Sequence, residues 1–143
     1  MNLLSLNEDY NNYVFFISNN EFKSAEEAIK KCIKNIEVSD QVDFDQLSYL
    51  YQCLGNVLYS NGDLKKALNF YKTSIEVANF SLLSLLQFSK FLAGCNKYKP
   101  TIENCNKIIE MAAKNPYPES ETDFSSEYYL NKARELKQQY EIL

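Results

Sequence analysis

The chain contains no histidine and no tryptophan, and only three glycines and three prolines among its 143 residues. Without histidine it lacks the one side chain whose ordinary pKa lies near neutrality, so the commonest general acid–base is missing. Three scattered glycines, Gly55, Gly62 and Gly94, cannot build a Gly-rich phosphate loop, and there is no G-x-S-x-G nucleophile elbow. The paired carboxylates Glu26 and Glu27 fall on a helical surface, so no constellation fills catalytic roles. An enzyme is not expected. Basic residues are fewer than acidic ones, 15 against 19, for a formal net charge of −4. That balance lacks the footprint that neutralises phosphates, which argues against nucleic acid and against an anionic membrane surface. The most apolar run, SLLSLLQFSKFLAG from Ser81 to Gly94, is too short to span a bilayer and contains Lys90. The opening MNLLSLNEDY has no basic residue and gains charge at Glu8 and Asp9, unlike a secretory leader. A cytoplasmic location is the expectation.

The four cysteines, Cys32, Cys53, Cys95 and Cys105, form no C-x-x-C pair, so a zinc site is not expected. They read as small buried apolar residues in a reducing compartment. No metal and no cofactor is implied.

What is present is helical periodicity. Apolar residues make up 45% of the chain, enough for a globular core. Few glycines and prolines favour helices with short connections. Leu47, Leu50, Tyr51, Leu54 and Leu58 recur at three- and four-residue steps and draw one helical stripe. Asp43 with Gln46 resembles a capping box. Asn61-Gly62-Asp63 then interrupts the pattern. Gly62 suits the left-handed end of one helix, and Asp63 suits the cap of the next. Leu64, Ala67, Leu68, Tyr71, Ile75 and Ala78 form the second stripe. The unit is an αα-hairpin.

The unit recurs. Displaced forward by about 34 residues, Gly55 falls on Ser89, Leu54 on Phe88, Ala67 on Thr101 and Tyr71 on Cys105. Displaced backward by a longer step, Ala67 falls on Ala25, Tyr71 on Ile29 and Ser74 on Cys32, with an insertion around Glu37 to Phe44. Tyr13 then stands where Gly55 stands. Pro100 predicts that the second helix of the third unit starts there, since proline suits a first turn and disfavours helix just before it. NPYPESETD, Asn115 to Asp123, reads as a loop. A last helix follows, with Tyr129, Ala133, Leu136, Tyr140 and Leu143 on its buried side.

On Tyr51, Leu54, Gly55, Leu58, Ala67 and Tyr71, with Gly62-Asp63 at the turn, the chain resembles the tetratricopeptide repeat (TPR) family, whose repeat is a helix–turn–helix. The resemblance implies an all-α fold, an α-solenoid of about seven antiparallel helices. One domain would cover residues 1–143, with repeats at about 6–39, 48–81 and 82–115 and a capping helix at about 124–142. Stacking of such units completes a core that no single unit can bury.

The resemblance also implies a binding groove lined by the first helix of each pair. Its residues would be Asn7, Tyr10, Asn11 and Val14, then Tyr49, Gln52, Cys53, Asn56 and Tyr59, then Leu83, Leu86, Gln87 and Lys90. Lys90 is the one charge in that set. Tyrosine offers contact area with a polar handle, and amides pair with peptide backbone. Some TPR co-chaperones clamp a C-terminal carboxylate with lysines, asparagines and an arginine. Only Asn56 suits such a clamp, because Tyr10, Cys53, Leu83 and Gln87 stand at other clamp positions. The expected partner is therefore a protein or peptide with a neutral or apolar segment, and the expected role an adaptor or scaffold. The alternatives are a dedicated secretion-type or assembly chaperone, with a homodimer open to it, and a structural subunit of a larger complex. The helix carrying Leu82, Leu83 and Leu86 is apolar nearly all round, so it is either sandwiched or exposes an interface.

Overall fold

The computed structural model describes residues 7–141. Among these residues there are seven α-helices and no strand: α1 Glu8–Ser18, α2 Phe22–Glu37, α3 Phe44–Ser60, α4 Leu64–Val77, α5 Leu82–Gly94, α6 Tyr98–Lys114 and α7 Ser126–Glu141. Leu6, Ile142 and Leu143, placed above at element ends or on the last helix's apolar side, lie outside the described residues. None of the described helices is long and apolar enough to cross a membrane. The chain divides between Asn79 and Phe80 into two compact units.

In the first unit α1 packs on α2, α2 on α3 and α3 on α4. Asp43 caps α3 by accepting the Gln46 backbone N–H at 3.1 Å, and Asp63 caps α4 by accepting that of Lys66 at 3.1 Å. Ala25, Ile29, Leu50, Leu54, Val57 and Ala67 form the interior. Tyr51, on the expected buried stripe, is only half-buried. Its ring stacks on Phe70 at 6.0 Å and its hydroxyl donates to Glu37 at 2.9 Å. No residue of α1 is fully buried.

Helices α3 and α4 approach closely at Gly55. A Cβ there would lie 2.6 Å from Tyr71 Cδ2 and 3.1 Å from the Ala67 carbonyl oxygen. The Tyr71 ring covers the glycine, and its hydroxyl donates to Asn56 Oδ1 at 2.6 Å. Nearby, Ser48 and Ser74 are buried, and the Ser74 hydroxyl donates to the Ser48 carbonyl at 2.8 Å. The same two hydroxyls are 2.9 Å apart. Each polar atom thus finds its partner across the two helices, as burial requires.

In the second unit α5 packs on α6, and α7 packs on both. Ser81 caps α5, accepting from the Ser84 N–H at 3.1 Å. Helix α6 begins at Tyr98, two residues earlier than the proline pattern predicts. Pro100 sits inside the first turn, where a backbone N–H has no intrahelical partner to lose. The loop between Lys114 and Ser126 is tied to α7: Ser126 N–H donates to the Tyr117 carbonyl at 3.1 Å, and the buried Tyr129 donates its hydroxyl to the Asp123 carboxylate.

The three hairpin turns share one geometry. Asn20, Gly62 and Asn96 occupy equivalent positions, with φ of 57°, 89° and 61°. After each, the next N–H returns to a carbonyl five residues back: Glu21 to Phe16 at 2.8 Å, Asp63 to Leu58 at 2.8 Å, Lys97 to Leu92 at 2.9 Å. This is the left-handed helix stop with its long closing bond. Asparagine is the residue other than glycine that most readily adopts it. Beyond the turn, Ala25, Ala67 and Thr101 occupy the same place and are each fully buried.

Candidate functional site

Residues of α1 and α3 meet on one face of the first unit. Tyr10 and Tyr49 share a hydroxyl–hydroxyl hydrogen bond of 2.9 Å, with ring centroids 6.3 Å apart. Tyr13 joins them, its ring 5.7 Å from that of Tyr10. Cys53 lies beneath, 4% exposed. Burial raises the hydroxyl pKa of Tyr13 and Tyr49 well above the ordinary range for tyrosine, and contact with Cys53 adds to it. Burial also pushes the Cys53 thiol up, with hydrogen bonds from Tyr49 and Tyr13 opposing it. Both hydroxyls stay protonated, and Cys53 stays a thiol rather than a nucleophilic thiolate. Cys32 behaves likewise, pushed up to about 11 by desolvation first and then by Asp9.

Around this cluster Val14, Tyr49 and Tyr59 are each more than two-fifths exposed. Asn11 is exposed and Gln52 half-buried. Two of the expected amides have structural partners. Asn7 caps α1 by accepting the Tyr10 N–H at 3.0 Å, and Asn56 holds the Tyr71 hydroxyl. The face therefore presents tyrosine rings and amides and no charge from the expected set.

Leu83, Leu86, Gln87 and Lys90 lie on α5, in the second unit. Lys90 is exposed, Gln87 half-buried and Leu83 45% exposed. Leu86 is 2% exposed and Leu82 6%. These two are core residues, which leaves Leu83 exposed and Phe91 half-buried among the large apolar side chains of α5.

Of two further residues, Tyr13 stands in the sequence where Gly55 stands, and Phe15 is not singled out there. Tyr13 has the signal of an aromatic at a position that calls for a small residue, so its ring must project elsewhere. Phe15, 61% exposed on α1 with its ring 5.7 Å from Phe16, is visible only once the packed side of α1 is known. Cys32, Cys53 and Cys105 are buried as expected, whereas Cys95 is half-buried at the end of α5.

No family model, curated protein or solved structure matches this chain.

Proposed function

We propose that the chain is a TPR-like α-solenoid, a single domain of three repeats and a capping helix, that acts as a non-enzymatic protein-interaction module. The observation that carries this reading is the recurrence of one hairpin stop at Asn20, Gly62 and Asn96, each followed by a buried small residue. Repeating hairpins that stack build extended binding surfaces. The working surface is the α1–α3 face, with Tyr10, Asn11, Val14, Tyr49, Gln52 and Tyr59. Its occupant is a neutral or apolar segment of a protein partner, since the named residues carry no charge with which to repay desolvation of a charged one. Thiols held protonated by burial suit a cytoplasmic, reducing setting.

The test is a paired pull-down from the source cell, with wild type and Tyr49→Ala/Tyr59→Ala as baits and helix content checked by circular dichroism. A stoichiometric partner lost only with the double variant supports the reading. A partner held equally by both baits refutes this surface. The exposure of Val14 and Phe15 on α1 favours a second reading, a dimerising chaperone or a subunit of a larger complex. In that case Phe15→Ser, and not the tyrosine pair, disrupts assembly.

A further inference from the structure

A separate surface in the second unit carries its own chemistry. Two hollows of about 270 and 280 Å³ adjoin each other, with Asp123 lining both. Leu83 and Phe124 line the first, and Phe80 and Met111 the second. These four side chains are 45%, 47%, 53% and 37% exposed. Each hollow is smaller than sites that enclose a drug-sized molecule, and its size suits one large side chain. Around the first stand Glu119, Glu121 and Asp123, and no lysine or arginine lines either hollow. Glu119 and Glu121 are exposed and enter no ion pair among the described residues. Among those residues no group of metal-ligating side chains is assembled for an ion.

The loop bearing these carboxylates is held in place. Tyr129 and Tyr117 donate their hydroxyls to Asp123, and Ser120 Oγ accepts the Asp123 N–H at 3.1 Å. Phe124 stacks on Tyr128 with centroids 4.1 Å apart. A fixed apolar floor with a rim of one charge sign selects its partner by complementarity. Nucleic acid and anionic lipid carry the wrong sign.

We propose that these hollows dock a basic amphipathic segment of a protein partner, with large apolar side chains in the hollows and flanking lysines or arginines against Glu119 and Glu121. A second copy of the chain is the weaker occupant. One segment with an exposed aromatic between lysines is Lys97-Tyr98-Lys99, but the Tyr98 ring is stacked on Tyr140 at 5.0 Å and its hydroxyl donates to Asn96. That ring is not free to insert.

The chain has no tryptophan, so a tryptophan in a probe peptide reports its own burial. The probes are a short lysine–leucine amphipathic peptide with one tryptophan and its glutamate–leucine counterpart. The lysine peptide is expected to bind saturably with a blue shift, and to weaken as salt is added. Glu119→Gln/Glu121→Gln weakens it by about tenfold, the effect of two partly exposed charge pairs. Leu83→Ser removes the blue shift. All three positions are exposed, and circular dichroism checks that the variants stay helical. The proposal is overturned if the glutamate peptide binds as well, if the lysine peptide does not bind, or if both variants bind it like wild type. It is also overturned if sedimentation shows self-association that Leu83→Ser abolishes, which makes a second copy the occupant.

Discussion

Replacing Gly55 by alanine removes a helix-breaking residue, and on an open helix it stabilises by about 1 kcal/mol. In this chain the opposite is expected. The added methyl would lie 2.6 Å from Tyr71 Cδ2, so the ring must move. Forcing a methyl into a packed site costs about 1–3 kcal/mol. Displacing the ring also breaks the Tyr71–Asn56 hydrogen bond, for about 1 kcal/mol. After the gain in helix propensity, Gly55→Ala destabilises by about 2 kcal/mol. The control is Tyr71→Cys, which introduces the residue found at the equivalent Cys105. It costs about 3 kcal/mol by itself through the cavity it leaves. In that background Gly55→Ala meets no ring but still lies 3.1 Å from the Ala67 carbonyl oxygen, which offsets the propensity gain, so the change is close to neutral and the coupling between the two sites is about 2 kcal/mol. Urea unfolding of the four proteins, followed by helix ellipticity, measures the cycle. Stabilisation by Gly55→Ala alone, or an equal cost in both backgrounds, refutes the account of the contact.

Three further outcomes follow from the geometry. Gly62→Ala places a Cβ in open space but at φ +89°, so its cost is purely backbone strain, about 1–2 kcal/mol, whereas Asn96→Gly shifts stability by less than about 1 kcal/mol; denaturant midpoints separate the two. Ser74→Ala leaves the buried Ser48 carbonyl without its hydroxyl donor and costs about 1–2 kcal/mol, read as a fall in midpoint without a change of slope. Desolvation first, then the bond to Glu37, raises the Tyr51 pKa to about 12, and Tyr13, Tyr49 and Tyr129 are raised too. An unfolded tyrosine ionises near pH 10, so this stability is complete below about pH 10 and is lost as pH rises towards the folded values. Tyrosinate absorbance should therefore appear together with loss of helix in alkali, and independent titration of all the tyrosines in an intact fold would contradict it.

Local signals in the sequence were enough for the helices and their stops. Asp43 with Gln46, Gly62 with Asp63, and the stripes through Leu54 and Ala67 act within a few residues; the structure bears out the caps and the turn, while Tyr51, Leu64, Leu68 and Ala78 at the stripes' margins are half-buried. Pro100 misled because a first turn tolerates proline at more than one place. Leu86 misled because a helix apolar on every side does not announce which side meets its neighbours. The tyrosine cluster was half legible. Tyr10 and Tyr49 could be assigned to equivalent helices, but their hydroxyl contact depends on the relative placement of α1 and α3. The structural roles of Asn7 and Asn56 were hidden for the same reason, since an amide reads alike whether it caps a helix, receives a core tyrosine or faces a partner.

The glycine–tyrosine contact has a further consequence, because the three hairpins solve the same problem with different volumes. The middle hairpin sets Gly55 against Tyr71, the third has Ser89 and Cys105 at those places, and the first has Tyr13 and Ile29. Tyr71 fills the space over Gly55 and Ser89 lies against Cys105, whereas the Tyr13 ring turns to Tyr10 and Cys53 instead. A helix that docked on the wrong partner during folding would meet a ring where it needs space, or a void where it needs a ring. The same holds across generations: duplication or loss of a repeat that joined the first half of one hairpin to the second half of another would carry such a mismatch into the core. A chain with helices exchanged between hairpins is therefore expected to unfold at lower denaturant than the natural order, through overpacking at one place and a cavity at another.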